Sequence, residues 1–276
     1  MTTTTDDGLQ LHTRHWPANT PTAARGQVLV VHGLGEHCER YAHVAATLNA
    51  AGWDVHGWDH RGHGHSAGPR GDIPDHDALL RDTARVIDAV RRPGARFVLL
   101  GHSLGGLVAA RFAAEALSAQ PAAWSRPPDA LVLSSPALDA GLRTAQRLAL
   151  AMAEKLAPGL AVGNGLKPAW ICRDPAVVAA YAADPLVHDR ITARLTRFIV
   201  DAGPRVIADA SRWAVPTLLM WAGADRCVAP RGSEVFATSA PAGVVTTQPW
   251  PALFHEIFNE PEKAQVLGTL TGWLNR

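Results

Sequence analysis

The chain has 276 residues, 47% of them hydrophobic and 18% charged, with a formal net charge of +1. That balance describes a globular protein with one sizeable core, and it argues against a disordered chain or a nucleic-acid-binding surface. The first eight residues lack the basic and apolar blocks of a secretory leader, and no run of about 18 apolar residues suggests a membrane span, so a cytoplasmic protein is the simplest expectation. The three cysteines, Cys38, Cys172 and Cys227, are odd in number and far apart, which suits neither a disulfide framework nor a zinc site.

In chain order, Leu9–Trp16 alternates apolar and polar residues as a half-buried strand does. Gln27–Val31 is a short, nearly all-apolar run, expected for a strand covered on both faces. A helix is expected over Tyr41–Ala51, closed by Gly52, and a strand over Trp53–Trp58. Asp77–Val90 has helical apolar spacing. Arg96–Leu100 reads as a strand, Leu104–Leu117 as a helix and Asp129–Leu133 as a strand. Later elements are a strand at Pro216–Ala222, a helix at Arg231–Ser239, a strand at Val244–Gln248 and a last helix at Asn259–Leu274, with Pro261 in its first turn. This alternation predicts an α/β protein with a mostly parallel sheet flanked by helices. Between Ala137 and about Ala210 the pattern is helical without a clear strand. The expected organisation is a core of residues 1–136 and 211–276 interrupted by a helical cap insertion, 137–210. One helix there, Leu142–Leu156, aligns Leu142, Ala145, Ala149, Met152 and Leu156 on one face. That face would suit packing on the sheet or contact with a lipid surface.

Gly101-His102-Ser103-Leu104-Gly105 stands between a strand and a helix, where a serine sits on a tight elbow with its hydroxyl exposed. A nucleophilic serine needs a base and an acid that orients it. In an elbow enzyme the order is Ser, then Asp or Glu, then His. After His188 the only histidine is His255, in a loop before the last helix, and Asp225 follows a late strand through Gly223-Ala224. Ser103, Asp225 and His255 are therefore the expected triad. Oxyanion donors are expected at the Leu104 N–H and, from His32-Gly33-Leu34-Gly35 after an early buried strand, at the Leu34 N–H. Asp59, His60, His63 and His65 lack zinc-hydrolase spacing and read as a tight glycine-bearing loop. His102 reads as a packing residue beside the elbow. Glu36 and Arg40 read either as an ion pair or as pocket lining.

These segments together resemble the α/β-hydrolase superfamily, and within it the monoacylglycerol lipase and lysophospholipase-like group. The resemblance is carried by His32–His37 with Arg40-Tyr41, Asp59–Ser66, Gly101–Gly106, Gly223–Arg226 and Phe254–Glu260. It implies the same triad and oxyanion donors, the insertion as a cap over an acyl pocket, and Glu36 and Arg40 near the alcohol part of the substrate. Phe258 stands where the resemblance expects a histidine. The implied activity is hydrolysis of a lipid ester through an acyl-enzyme, with no metal or organic cofactor, no nucleic-acid partner and transient membrane or micelle contact through the cap. A short-chain esterase, another hydrolase using the same triad, and a non-catalytic binding protein are the alternatives.

Overall fold

The computed structural model describes residues 1–18 and 24–276. In chain order the elements are β1 (Thr2–Thr4), β2 (Gln10–Trp16), β3 (Gln27–Val31), α1 (Ala42–Ala50), β4 (Asp54–Trp58), α2 (Ala78–Val90), β5 (Phe97–His102), α3 (Leu104–Glu115) and β6 (Ala130–Ser134). They continue with α4 (Thr144–Leu156), β7 (Val162–Gly163), α5 (Pro175–Ala183), β8 (Arg190–Ile191), α6 (Ala193–Asp209), β9 (Thr217–Ala222), α7 (Arg231–Ser239), β10 (Val245–Trp250) and α8 (Lys263–Leu274).

Eight strands form one sheet in the order β1-β2-β4-β3-β5-β6-β9-β10. From β4 to β10 every pairing is parallel, while β1 and β2 run antiparallel at one edge. The apolar runs in β3, β5, β6 and β9 are buried along their whole length because both faces of the sheet are covered. Alternate residues serve opposite faces. Leu29, Val31 and Leu99 join a cluster with α2, α3 and α6, whereas Val28, Val30, Val98 and Leu100 join one with α1 and α8.

Strand β5 runs two residues past Leu100, because Gly101 and His102 stay in register with Leu133 and Ser134 of β6. The short strand β1, unforeseen in the sequence, pairs with β2 at Thr2–Thr4. Helix α8 begins at Lys263, so Pro261 precedes it rather than occupying its first turn. The buried Glu260 carboxylate accepts the Arg173 N–H at 2.6 Å and pairs with the Arg173 guanidinium, which holds the preceding residues in a turn.

Strands β6 and β9 are neighbours, so everything between them is inserted at one junction of the sheet. The insertion also holds a small antiparallel pair, β7 with β8, too short to leave an alternating pattern in the sequence. It is not uniform in its packing. Helix α6 buries Leu195, Phe198, Ala202 and Val206 in the cluster that contains α3. A Cβ on Gly203 would lie 2.2 Å from the Leu138 carbonyl oxygen, so only glycine permits that crossing. Helix α4 buries only Leu150; of the expected face, Leu142 packs half-buried on the cluster of Leu150, Ala193 and Val200, while Ala145, Ala149, Met152 and Leu156 are exposed. Of its two expected roles, packing on the sheet is not what this face does.

Candidate active site

Strand β5 delivers Ser103 to the carboxyl edge of the sheet, and α3 starts at the next residue. Ser103 has φ +54° and ψ −119°, a conformation side chains rarely adopt. The surrounding contacts hold it there: its N–H donates to the Ser134 carbonyl at 3.0 Å, and its carbonyl accepts from Leu107 at 2.9 Å and Ala137 at 3.0 Å. The flanking glycines are a steric requirement. A Cβ on Gly105 would lie 2.0 Å from the Val31 carbonyl oxygen, and one on Gly101 would lie 2.3 Å from the Gly105 carbonyl oxygen.

Asp225, after β9, and His255, after β10, meet at the same edge. His255 Nδ1 lies 2.6 Å from Asp225 Oδ2. The other Asp225 oxygen accepts N–H bonds from Cys227 at 2.7 Å and Val228 at 3.1 Å, which fixes the carboxylate. Burial disfavours the charged form of His255, but the Asp225 charge and hydrogen bond outweigh it and raise the histidine above its ordinary value. Burial likewise pushes Asp225 up, but the His255 charge and the bonds it accepts outweigh this and hold it below the usual carboxylate range. An ionised aspartate on Nδ1 leaves Nε2 as the nitrogen free to exchange a proton.

Ser103, His255, His102, Gly33, Leu34 and Glu36 share the wall of one cavity of about 350 Å³. A Cβ on Gly33 would lie 3.2 Å from the Ser103 Cβ, so the loop after β3 passes directly beside the serine. Leu34 is on that loop, and Leu104 is the first residue of α3. The remaining wall comes from the insertion, including Leu166, Ile171, Tyr181 and His188. His102 Nδ1 bonds the Ser134 hydroxyl at 3.0 Å, and burial with the nearby His255 charge lowers it to about 3. It stays neutral, packed 4.7 Å from the His255 ring.

Glu36 and Arg40 form the anticipated ion pair. One Glu36 oxygen accepts the Gly33 N–H at 2.6 Å and the Tyr41 hydroxyl at 2.7 Å, while the other takes Arg40. Arg40 makes a bidentate pair with Glu256, 2.7 Å on each side. Glu36 lines the cavity; the Arg40 guanidinium is engaged by two carboxylates and the Tyr181 ring 4.8 Å away. Glu256 therefore ties the His255 loop to the Gly33 loop. It stands inside the Phe254–Glu260 segment, but no spacing rule pairs it with a residue 216 positions earlier.

The Asp59 loop is also internally bonded. Asp59 accepts from the Cys38 N–H and the His65 N–H, both at 2.8 Å, and His60 exchanges bonds with His32. The three cysteines are free. Among the described residues no helix is long and apolar enough to cross a membrane.

Residues 22–262 match the family described as serine aminopeptidase, S33. A monoacylglycerol lipase of Mycolicibacterium smegmatis is 36% identical over 92% of this chain and 89% of its own length. A monoglyceride lipase of Rattus norvegicus is 30% identical over 98% of this chain and 88% of its own. Among solved structures, a Paleococcus ferrophilus monoacylglycerol lipase superposes with a TM-score of 0.85 at 32% identity, covering 96% of this chain and 98% of that one. A serine on a strained elbow, an aligned His–Asp pair and this sheet order accompany those matches, and the chain belongs to the serine aminopeptidase S33 family of α/β-hydrolases, in its monoacylglycerol lipase-like group, as a carboxylic ester hydrolase.

Proposed function

We propose that the chain hydrolyses lipid monoesters, monoacylglycerols first among them, with Ser103 as nucleophile, His255 as general base and acid, and Asp225 as the group that orients and charges the histidine. The observation that carries this reading is the 2.6 Å His255–Asp225 contact, set in the cavity wall that also contains Ser103. Ser103 Oγ attacks the ester carbonyl as His255 Nε2 takes its proton. The Leu34 and Leu104 N–H groups receive the oxyanion. The imidazolium then protonates the departing alcohol, and water activated by the same histidine releases the fatty acid.

Residues 137–210 act as the cap. Their apolar side chains at Leu166, Ile171 and Val187 contribute to the cavity wall. Leu148, Met152, Leu156, Leu160 and Val162 project into solvent, a patch suited to transient contact with a membrane or micelle. Glu36, paired with Arg40, holds the Gly33–Leu34 loop that carries the Leu34 oxyanion donor.

A fluorophosphonate probe should label the wild type and leave Ser103→Ala unlabelled. Equal labelling of folded Ser103→Ala would overturn the nucleophile. Side-by-side turnover of monoacylglycerols, lysophospholipids and short p-nitrophenyl esters tests the substrate class, and a large preference for lysophospholipids or for short esters would replace it.

A further inference from the structure

A second cluster of chemically capable side chains lies away from Ser103, toward the antiparallel edge of the sheet. His15 of β2 and His56 of β4 are direct cross-strand partners, and their rings stack 4.3 Å apart at 3°. Both point their Nε2 atoms at the Asp54 carboxylate, 2.9 Å from Oδ1 for His15 and 3.5 Å from Oδ2 for His56. Ser103 sits at the carboxyl ends of the parallel strands, whereas Asp54 opens β4 at the amino end.

The Gln27 amide settles the state of His56. Gln27 Oε1 accepts the Arg92 N–H at 2.6 Å, so its other terminal atom is the NH2 group. That group donates to the Val90 carbonyl at 2.8 Å and faces His56 Nε2 at 3.2 Å. His56 Nε2 therefore carries its lone pair, and that lone pair also confronts an ionised carboxylate oxygen. Two imidazole nitrogens and a carboxylate oxygen, each within 4.8 Å of the others, form a set of donors that one metal ion can share.

We propose that His15 Nε2, His56 Nε2 and an Asp54 oxygen bind a divalent transition-metal ion of the Zn²⁺ type, clamping β2 to β4. Four-coordinate zinc, with bonds of about 2.0–2.2 Å to nitrogen and oxygen, places its ligand atoms roughly 3.3–3.5 Å apart. The observed 2.9 and 3.5 Å separations straddle that spacing. The rings stand parallel at 3°, so each must turn about its Cβ–Cγ bond, a broad torsion in histidine, to bring both lone pairs onto one point, and water fills the remaining position. Binding requires the His15 tautomer protonated at Nδ1, so the Nε2–H bond to Asp54 is given up, as is the long Gln27 contact on His56. The Arg92 guanidinium, 3.3 Å from Asp54 and half exposed, is the cation that competes for the same carboxylate.

The test is titration of metal-free protein with ZnCl2, followed by calorimetry and thermal melting. The wild type should take up about one Zn²⁺ per chain, with a rise in Tm of roughly 5 °C at a hundredfold excess over Kd. His15→Ala and His56→Ala should each lose that binding. Arg92→Ala should bind zinc severalfold tighter, a gain that a misfolded variant would not produce. No uptake by the wild type would overturn the proposal, as would binding unchanged in both histidine variants. Zinc retained in His56→Ala together with loss of esterase activity would place the ion on Asp225, Cys227 and His255 instead, and would also overturn it.

Discussion

Replacing Glu36 separates bracing of the oxyanion loop from direct contact with substrate. The carboxylate is 3% exposed and accepts from the Gly33 N–H, the Tyr41 hydroxyl and Arg40. Glu36→Ala leaves the first two without an acceptor, at about 1–3 kcal/mol each, while Arg40 keeps both bonds to Glu256 and is not stranded. The expected loss is about 4 kcal/mol, or roughly 8–15 °C in Tm for a chain of this size. Glu36→Gln retains an acceptor for Gly33 but loses the charge, and should cost about 1–2 kcal/mol. Because the Gly33–Leu34 loop adjoins Ser103, the damage should appear in kcat, roughly tenfold or more for Glu36→Ala, with KM for a small p-nitrophenyl ester nearly unchanged. Burial pushes Glu36 up, but the Arg40 charge and the hydrogen bond from Tyr41 outweigh it and hold the carboxyl at about 2, so this difference should be constant between pH 5 and 8 and fade only in strong acid. The measurements are calorimetric melting and steady-state kinetics. A Tm within about 2 °C of wild type, with the effect confined to KM, would refute the bracing role and assign Glu36 to the substrate.

The pH profile should have an acid limb above the ordinary histidine value of about 6.5, because Asp225 raises His255 and only the neutral imidazole is a base. The raised value also means that the His255–Asp225 pair contributes stability below the unfolded pKa and loses it as pH rises through the folded one, so activity should climb over the window in which Tm declines. Asp225→Asn should lower kcat by about 10³–10⁴ and shift the acid limb to lower pH; an unmoved limb would mean that another group titrates. Gly105→Ala forces a Cβ against the Val31 and His32 carbonyl oxygens, at 2.0 and 2.4 Å, and should abolish soluble expression or activity; a stable, active variant would show that the elbow relaxes cheaply. Met152→Ser with Leu156→Ser, at positions 64% and 79% exposed, should leave turnover of a soluble ester unchanged and reduce turnover of monoacylglycerol in vesicles, and equal activity on both would remove the surface-contact role.

Local pattern was enough to anticipate most of the core and to pick out the residues proposed as the triad. Val28–Val31, Phe97–Leu100 and Leu218–Ala222 are continuous apolar runs because strands covered on both faces have no polar side to display, and that constraint is written into consecutive residues. Ser103 was legible for a similar reason: a strained φ and close backbone approaches exclude side chains at positions 101 and 105, so the steric demand leaves glycines in fixed places. Asp225 and His255 followed from chain order and from a shortage of competitors, without any knowledge of their 2.6 Å contact. Tertiary structure alone decided the rest. The Arg40–Glu256 and Arg61–Asp82 pairs join residues with no sequence periodicity between them. The apolar stripe of α4 faces water while α6 carries the buried face, and amphipathic spacing describes a helix's two sides without saying which neighbour each one meets. His15 and His56 acquire a shared carboxylate only because the antiparallel pairing of β2 with β4 sets them opposite each other, a register that depends on hydrogen bonds between strands distant in sequence and not on either strand alone.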